Sequence, residues 1–443
     1  MKKVIKFLAA TFVALSLVST AFTGCNSGGG QSSSSAAVSS INSGNTASAS
    51  IDKNISATIT FWHTYSANSE AKVFNSEIIA DFNKQYPNIK IKSVTMPTDN
   101  LKQQVLQAAA SGSAPDVMRM DITWVPQFAN LNSLVAVDQM QGFDTIKENS
   151  YKASLTTCKW KNQYFGVPLD SNTQITIYNT KTLKAAGLTD APKTFDELAA
   201  AAEKIKSSHS NGLITIGGCG SWSMAPIFMS LGGQYCDDQY TKAAGYVNSD
   251  KSVAALTKLV EMNDKGLIGK CLLGGQPGTW DGLKTDNGYM SVQDGPWFFT
   301  LQDKKITSNY TPALIPTNID KSISVVGGED LVMFKNSKNQ EAAWLFMNYM
   351  TTEFPQKTLA LKVNQYPTNT KVAAMPELTV DPIFKIYSQQ LETAWARIQN
   401  PSNEEMDKDI SLAFEKSFRH SGTVKENLDA LAKQLDALFA KNA

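Results

Sequence analysis

Ala57-Thr58-Ile59-Thr60-Phe61-Trp62, Ile89-Lys90-Ile91-Lys92-Ser93-Val94 and Asp116-Val117-Met118-Arg119-Met120 are β-rich runs separated by two helical patterns. In the first gap Phe74, Ile78 and Phe82 recur on one helix face, and Pro87 stops the pattern. In the second, Leu101, Val105, Leu106 and Ala109 mark another helix, ended by Gly112. This alternation predicts parallel α/β units. Further along, Thr194-Phe195-Asp196-Glu197, just after Pro192, reads as a capping box opening a helix. Ala343, Phe346, Met347 and Met350 predict another helix, and Leu428, Leu431, Leu435 and Leu438 a C-terminal amphipathic one. No short fixed period recurs, which argues against a solenoid.

From about Ile51 to Ala443 the chain has the length of two or three domains. Across the whole sequence 42% of residues are hydrophobic, 18% are charged and the net charge is +1, so nothing draws it to nucleic acid. Lys dominates the basic residues, with Arg only at 119, 397 and 419. Arg is the preferred bidentate partner of carboxylate and phosphate, so its scarcity weighs mildly against an anionic ligand. Besides Cys25 there are Cys158, Cys219, Cys236 and Cys271, without CxxC spacing, so no metal or redox site is expected. In an exported protein they allow up to two disulfides, with Cys219–Cys236 the expected bridge.

The N-terminus predicts that export. Lys2, Lys3 and Lys6 precede a nearly unbroken apolar or small-residue run from Phe7 to Phe22, the order of a secretory signal. The run is short for a membrane span of about 20 residues. Phe22-Thr23-Gly24-Cys25 resembles the lipobox of bacterial lipoproteins, with Phe where Leu is usual. The resemblance implies a signal peptide at 1–24 and an acylated Cys25. Residues 25–54 then form a lipidated Ser/Gly tether, too poor in apolar residues to offset its ordering entropy. A coil of about 25 such residues reaches roughly 25–30 Å.

Catalytic motifs are scarce. His63, His209 and His420 are far apart, and there is no HExxH, GxSxG, P-loop or GxGxxG pattern. Aromatic and small-polar clusters are more informative: Phe61-Trp62-His63-Thr64-Tyr65, Asp121-Ile122-Thr123-Trp124, Gly220-Ser221-Trp222 and Asp294-Gly295-Pro296-Trp297. Each falls at a predicted strand end or in a loop, where α/β sheets gather ligands. A flat ring beside a carboxylate suits a sugar, which stacks its C–H face and donates its hydroxyls. The alternative for any one of these tryptophans is ordinary packing. That reading is preferred for Trp344, which lies in an apolar helix. Trp160 and Trp280 stay open, and Trp395 leans toward a cleft wall.

These segments resemble the extracellular solute-binding proteins, family 1, of bacterial carbohydrate ABC importers, a group that includes maltose-binding protein. The likeness runs through Ile59-Thr60-Phe61-Trp62-His63, Ala114-Pro115-Asp116-Val117, Phe165-Gly166-Val167-Pro168 to Ile177-Tyr178-Asn179, Pro192 to Leu198, Gly295-Pro296-Trp297, Gly327-Gly328 and Tyr366-Pro367-Thr368. It implies a bilobed α/β fold with a ligand cleft between lobes joined by hinge strands. Lobe one would hold 55–169 and 329–365, and lobe two 170–328 and 366–443. The chain would cross near Asp170–Gln174, Ser324–Gly328 and Tyr366–Asn369.

By the same likeness, Trp62, His63 and Tyr65 follow the first strand, with Asp121 and Trp124 on that lobe's rim. Asp170 and Asn172 lie at the first crossing, Trp222, Asp294 and Trp297 form the opposing wall, and Glu329 or Asp330 sits beside the second hinge. The implied protein is a monomeric, cofactor-free and metal-free binding lipoprotein on the outer face of the cytoplasmic membrane. It closes on a neutral oligosaccharide and delivers it to ABC permease subunits. Two other readings compete: a lipid-anchored glycoside hydrolase, and a binding lipoprotein for a non-sugar solute such as a polyol or phosphorylated compound.

Overall fold

The computed structural model describes residues 55–301 and 307–443. The expected signal peptide, Cys25 and the expected tether lie outside the described residues. The first three strands are β1 (Ala57–His63), β2 (Ile89–Thr95) and β3 (Val117–Asp121). Both β2 and β3 pair parallel with β1. Phe74, Ile78 and Phe82 are fully buried against this sheet, with a π-helical turn at Phe74–Ile78 inside the helical stretch. The next helix, Leu101–Ser111, ends at Gly112 with φ +70°. It buries Leu101, Val105 and Ala108, so its inner face is turned slightly from the predicted Leu106 and Ala109.

The remaining strands are β4 (Lys159–Trp160), β5 (Gln163–Tyr164), β6 (Val167–Thr173), β7 (Ile175–Asn179), β8 (Ser291–Asp294), β9 (Tyr310–Ala313), β10 (Ser324–Met333), β11 (Tyr366–Pro367) and β12 (Ala394–Trp395). The main sheet runs β11-β6-β10-β3-β1-β2, with β12 also on β10. It is mixed, not purely parallel, because β10 lies antiparallel to both β3 and β6. A separate sheet, β8-β7-β9, is wholly antiparallel.

The fold is bilobed α/β, and the apolar cores show how the chain divides its work. One core gathers Ile59, Phe61, Val117, Val167, Leu169, Leu331, Met333 and the helix Gln340–Met350. Another gathers Tyr178, Phe195, Leu213, Phe228, Val325, Phe414 and the C-terminal helix Val424–Lys441. Strand β10 runs from one core to the other, with Leu331 and Met333 in the first and Val325 in the second, and β6 pairs alongside it. The predicted helix start is formed, with Thr194 accepting from the Glu197 N–H and the Glu197 side chain reaching back to the cap; Thr423 and Glu426 cap the C-terminal helix in the same way, which was not predicted. Trp344 is 1% exposed and donates to the Gln141 carbonyl, a packing role.

The cysteine expectation is corrected. Cys158, Cys219, Cys236 and Cys271 are free thiols. Cys219 Sγ lies 4.0 Å from the Leu272 carbonyl oxygen, whereas Cys236 is sealed in the core beyond the helix Ser221–Ser230, its thiol pushed up by burial. No described helix is long and apolar enough to cross a membrane.

Candidate functional site

Where β10 passes between the cores with β3 and β6 paired on either side, apolar side chains give way to acids and glycine. The register sets Asp121 opposite Glu329, and Glu329 opposite Asp170. Arg119, two residues back on β3, fills the space beside them. Its Nε and Nη2 donate to the two Asp170 oxygens at 3.1 and 3.3 Å, Nη2 to Glu329 at 2.6 Å, and Nη1 to Thr64 at 2.7 Å. Its guanidinium also lies 5.0 Å from the Tyr65 ring. Burial opposes the charge on Arg119, but Asp170 and Glu329 more than offset it and hold the group protonated. Glu329 keeps 26% of its side chain exposed, and burial pushes its carboxyl up against the pull of Arg119.

Asp330, the neighbour of Glu329, points to the other side of the strand. It is 1% exposed, accepts from Thr157 Oγ1 at 3.1 and 3.0 Å, and its carboxyl is pushed up by burial. It is a core group that offers nothing to solvent. The same holds for His63 and Tyr65, which are 0% and 1% exposed. The Tyr65 backbone N–H donates to His63 Nδ1 at 3.2 Å, so the ring proton sits on Nε2 and is given to Ser93 Oγ at 2.7 Å. A protonated imidazole would lose the first of these bonds.

Burial, with Arg119 adding to it, lowers the His63 pKa from 6.5 to about 4. The unfolded chain therefore takes up a proton below about 6.5 that the folded chain refuses until about 4. Stability is complete above that window and falls as pH drops through it, by about 2–3 kcal/mol from this residue. Denaturant melts of the native protein and His63→Gln at pH 7 and pH 4.5 should show a smaller loss in the variant. Equal losses would remove His63 as the source.

The other wall comes from the second core. Trp222 opens the helix Ser221–Ser230 and Trp297 the helix Trp297–Thr300; their rings stack at 6.1 Å and 26°. The Trp222 ring and Asn172 crowd Gly327 on β10, where a methyl group would come within 2.3 Å of Asn172 Oδ1 and 2.9 Å of the indole. Thus Asn172 and Trp222 meet at Gly327 on β10, with Trp297 stacked on Trp222. Asp294 is committed locally: Trp280 Nε1 and the Gly295 N–H donate to its carboxylate, and burial raises its pKa against them. Trp395 stacks on Tyr235 at 5.1 Å, a packing contact.

On the first core's side, Trp62 and Trp124 are both partly buried in a cluster with Met118 and Phe128. Lys102 Nζ lies 5.9 Å from the Trp124 ring centroid and pairs at 2.7 Å with Glu404, on a helix of the second core. Asp121 accepts from Thr123 in its own turn. Cavities of about 610 and 700 Å³ open elsewhere, beside Trp160 and between the helices Phe195–Ile205 and Asp250–Asp264. None of these site residues lines either one.

Two residues of this region were not singled out from the sequence: Arg119 and Arg397. The Arg397 guanidinium lies 5.5 Å from the Trp222 ring centroid, within the fields of Asp121 and Asp407. Their signal was rarity. Only three arginines stand among 41 basic residues, and a Lys-rich chain keeps Arg where planar, multidentate donation matters.

The sequence pattern of the family described as bacterial extracellular solute-binding protein matches residues 77–386. The maltotriose-binding protein of Pyrococcus abyssi is 23% identical over 352 residues, 78% of this chain and 74% of that protein. A maltooligosaccharide ABC transporter solute-binding lipoprotein of Streptococcus pneumoniae is 26% identical over 277 residues, 60% of this chain and 63% of its own. Among solved structures, the cyclic α-maltosyl-1,6-maltose binding protein of Arthrobacter globiformis has a TM-score of 0.77 at 21% identity. It covers 87% of this chain and 99% of its own.

Proposed function

We propose that this chain, which belongs to the bacterial extracellular solute-binding protein family, captures a neutral oligosaccharide between two lobes and hands it to an ABC importer. The observation that carries the ligand class is the stacked pair Trp222–Trp297 set against the polar row Asp121–Glu329–Asp170. Rings on one wall and hydrogen-bonding groups on the other match the two kinds of surface a sugar presents. Relatives named for maltotriose and maltooligosaccharides support the reading.

In this reading lobe one holds residues 55–169 and 329–365, and lobe two holds 170–328 and 366–443. Ligand contacts with both walls exist only when the lobes are closed, so the sugar shifts the equilibrium toward that form. The reading involves no reaction, and the relatives named above are binding proteins. Membrane attachment through Cys25 is part of the proposal, and a pneumococcal relative is named as a lipoprotein. Cys25→Ala should release the protein from membranes; retention there would remove the anchor.

The site is tested with Trp222→Ala and Trp297→Ala. Losing one aromatic platform from a desolvated site costs about 2–4 kcal/mol of binding, or roughly 30- to 1,000-fold in Kd. If the rings merely packed, the loss would instead fall on the unliganded protein, at about 3–5 kcal/mol. Calorimetric affinity and apo melting separate the two. Weakened binding with near-normal melting is expected, and unchanged affinity in both variants would displace the site.

A further inference from the structure

Arg397 stands apart from the other two arginines. Arg119 is fully engaged by Asp170, Glu329 and Thr64, and Arg419 pairs with Glu415 at 2.7 Å. The Arg397 side chain makes no hydrogen bond or ion pair with any described residue, and its Nε is sealed from solvent without a partner. Leaving a donor unsatisfied is costly, and Arg397 as a whole is only partly buried, so a guanidinium with unanswered N–H groups in a binding region points to a ligand that engages it. Its guanidinium carbon lies 5.5 Å from the Trp222 ring centroid, within reach of a cation–π attraction.

The nearby acids do not answer it. Asp407 accepts from the Ser221 backbone N–H at 2.7 Å and caps the helix that carries Trp222. Asp121 is held by Thr123 N and Oγ1 at 2.8 and 2.6 Å. Asp170 and Glu329, across the sheet register from Asp121, are paired with Arg119, so the acids whose fields reach Arg397 are Asp121 and Asp407. A ligand reaching Arg397 thus finds a cation-backed donor inside an acidic surround. A carboxylate on the ligand would be attracted to Arg397 and repelled by both Asp121 and Asp407, whereas a hydroxyl or ring oxygen takes the donor without that cost.

We propose that Arg397 is a specificity-determining residue: it donates from the lobe-two wall to hydroxyl or ring oxygens of an uncharged glycan stacked on Trp222, while the surrounding carboxylates reject a sugar acid. This rests on the oligosaccharide-binding reading above and names the group that makes the ligand neutral. It also revises the argument from arginine scarcity: two of the three arginines stand in the candidate site, Arg119 on β3 and Arg397 beside Trp222.

The test uses the full chain and four probes: maltotriose, arabinotriose, cellotriose and trigalacturonate. Calorimetry should find at least one neutral triose binding the native protein and no binding of trigalacturonate. For the neutral triose that binds best, Arg397→Met should weaken Kd about 10- to 100-fold, the worth of hydrogen bonds from a charged donor. Its apo melting should not fall, because the orphaned Nε goes with the side chain. Arg397→Lys should recover only part, since a point charge lacks the planar fork. Tight neutral-sugar binding that Arg397→Met leaves unchanged overturns the assignment while the oligosaccharide reading stands. So does a preference for trigalacturonate. Failure of the native protein to bind any of the four overturns the oligosaccharide reading itself, and this assignment with it.

Discussion

Arg119→Met should cost about 3–5 kcal/mol of folding stability, the usual penalty for removing one partner of a buried charge cluster. Asp170 and Glu329 would be left facing each other across β6 and β10 with no cation between them, and Thr64 would lose its donor. Desolvation and mutual repulsion then push both carboxyls toward their neutral forms. The sign of the pH dependence follows. In the variant the folded carboxyls bind protons more readily than the unfolded ones, so its deficit is largest at neutral pH. It shrinks as pH falls toward 5. Urea melts of both proteins at pH 7.5 and pH 5 test this. A deficit below about 1 kcal/mol, or one independent of pH, would show that the cluster contributes by packing alone.

Gly328→Ala should be comparably damaging for a different reason. Gly328 has φ +128°, and a methyl group there would lie 2.2 Å from the Asp170 carbonyl oxygen and 2.9 Å from Ser171 Cα. Both obstacles are backbone atoms of the paired strand β6, which no rotamer change relieves. Strained backbone geometry costs about 1–3 kcal/mol, and the forced separation of two paired strands adds to it. We expect a loss of about 3 kcal/mol or more. Gly187→Ala is the control, because φ there is +83° but nothing lies within 4 Å of the added carbon. It should cost only about 1 kcal/mol. Equal losses at the two positions would mean that backbone conformation, not strand contact, sets the requirement.

Much of the fold was legible in local pattern. Phe74, Ile78 and Phe82 share a face because a helix returns every 3.6 residues, and all three are buried. Gly112 ends its helix in the left-handed region, and Thr194 and Glu197 cap each other across one turn. Such features depend on residues a few positions apart. The direction of β10 was not legible, because Ser324–Met333 reads the same whether it pairs parallel or antiparallel with β3, some 200 residues earlier. The site was legible as composition: the segments around Trp222 and Trp297 do meet. Its assignments residue by residue were not.

By itself the sequence determined the alternating α/β class, the helix ends at Gly112 and Thr194, two aromatic segments that meet and the family to which the chain belongs. The tertiary structure decided which polar groups are available. Glu329 and Asp330 are adjacent acids, yet strand alternation sends one to Arg119 and the other to Thr157 in the core. His63 looked like a polar group at a strand end and is instead sealed between Ser93 and the Tyr65 amide. Arg119 and Arg397 read alike in sequence, but only Arg397 lacks partners among the described residues. The physical reason is common to all of them. Secondary structure follows from neighbours along the chain, whereas burial, charge compensation and donor satisfaction depend on groups tens to hundreds of residues away.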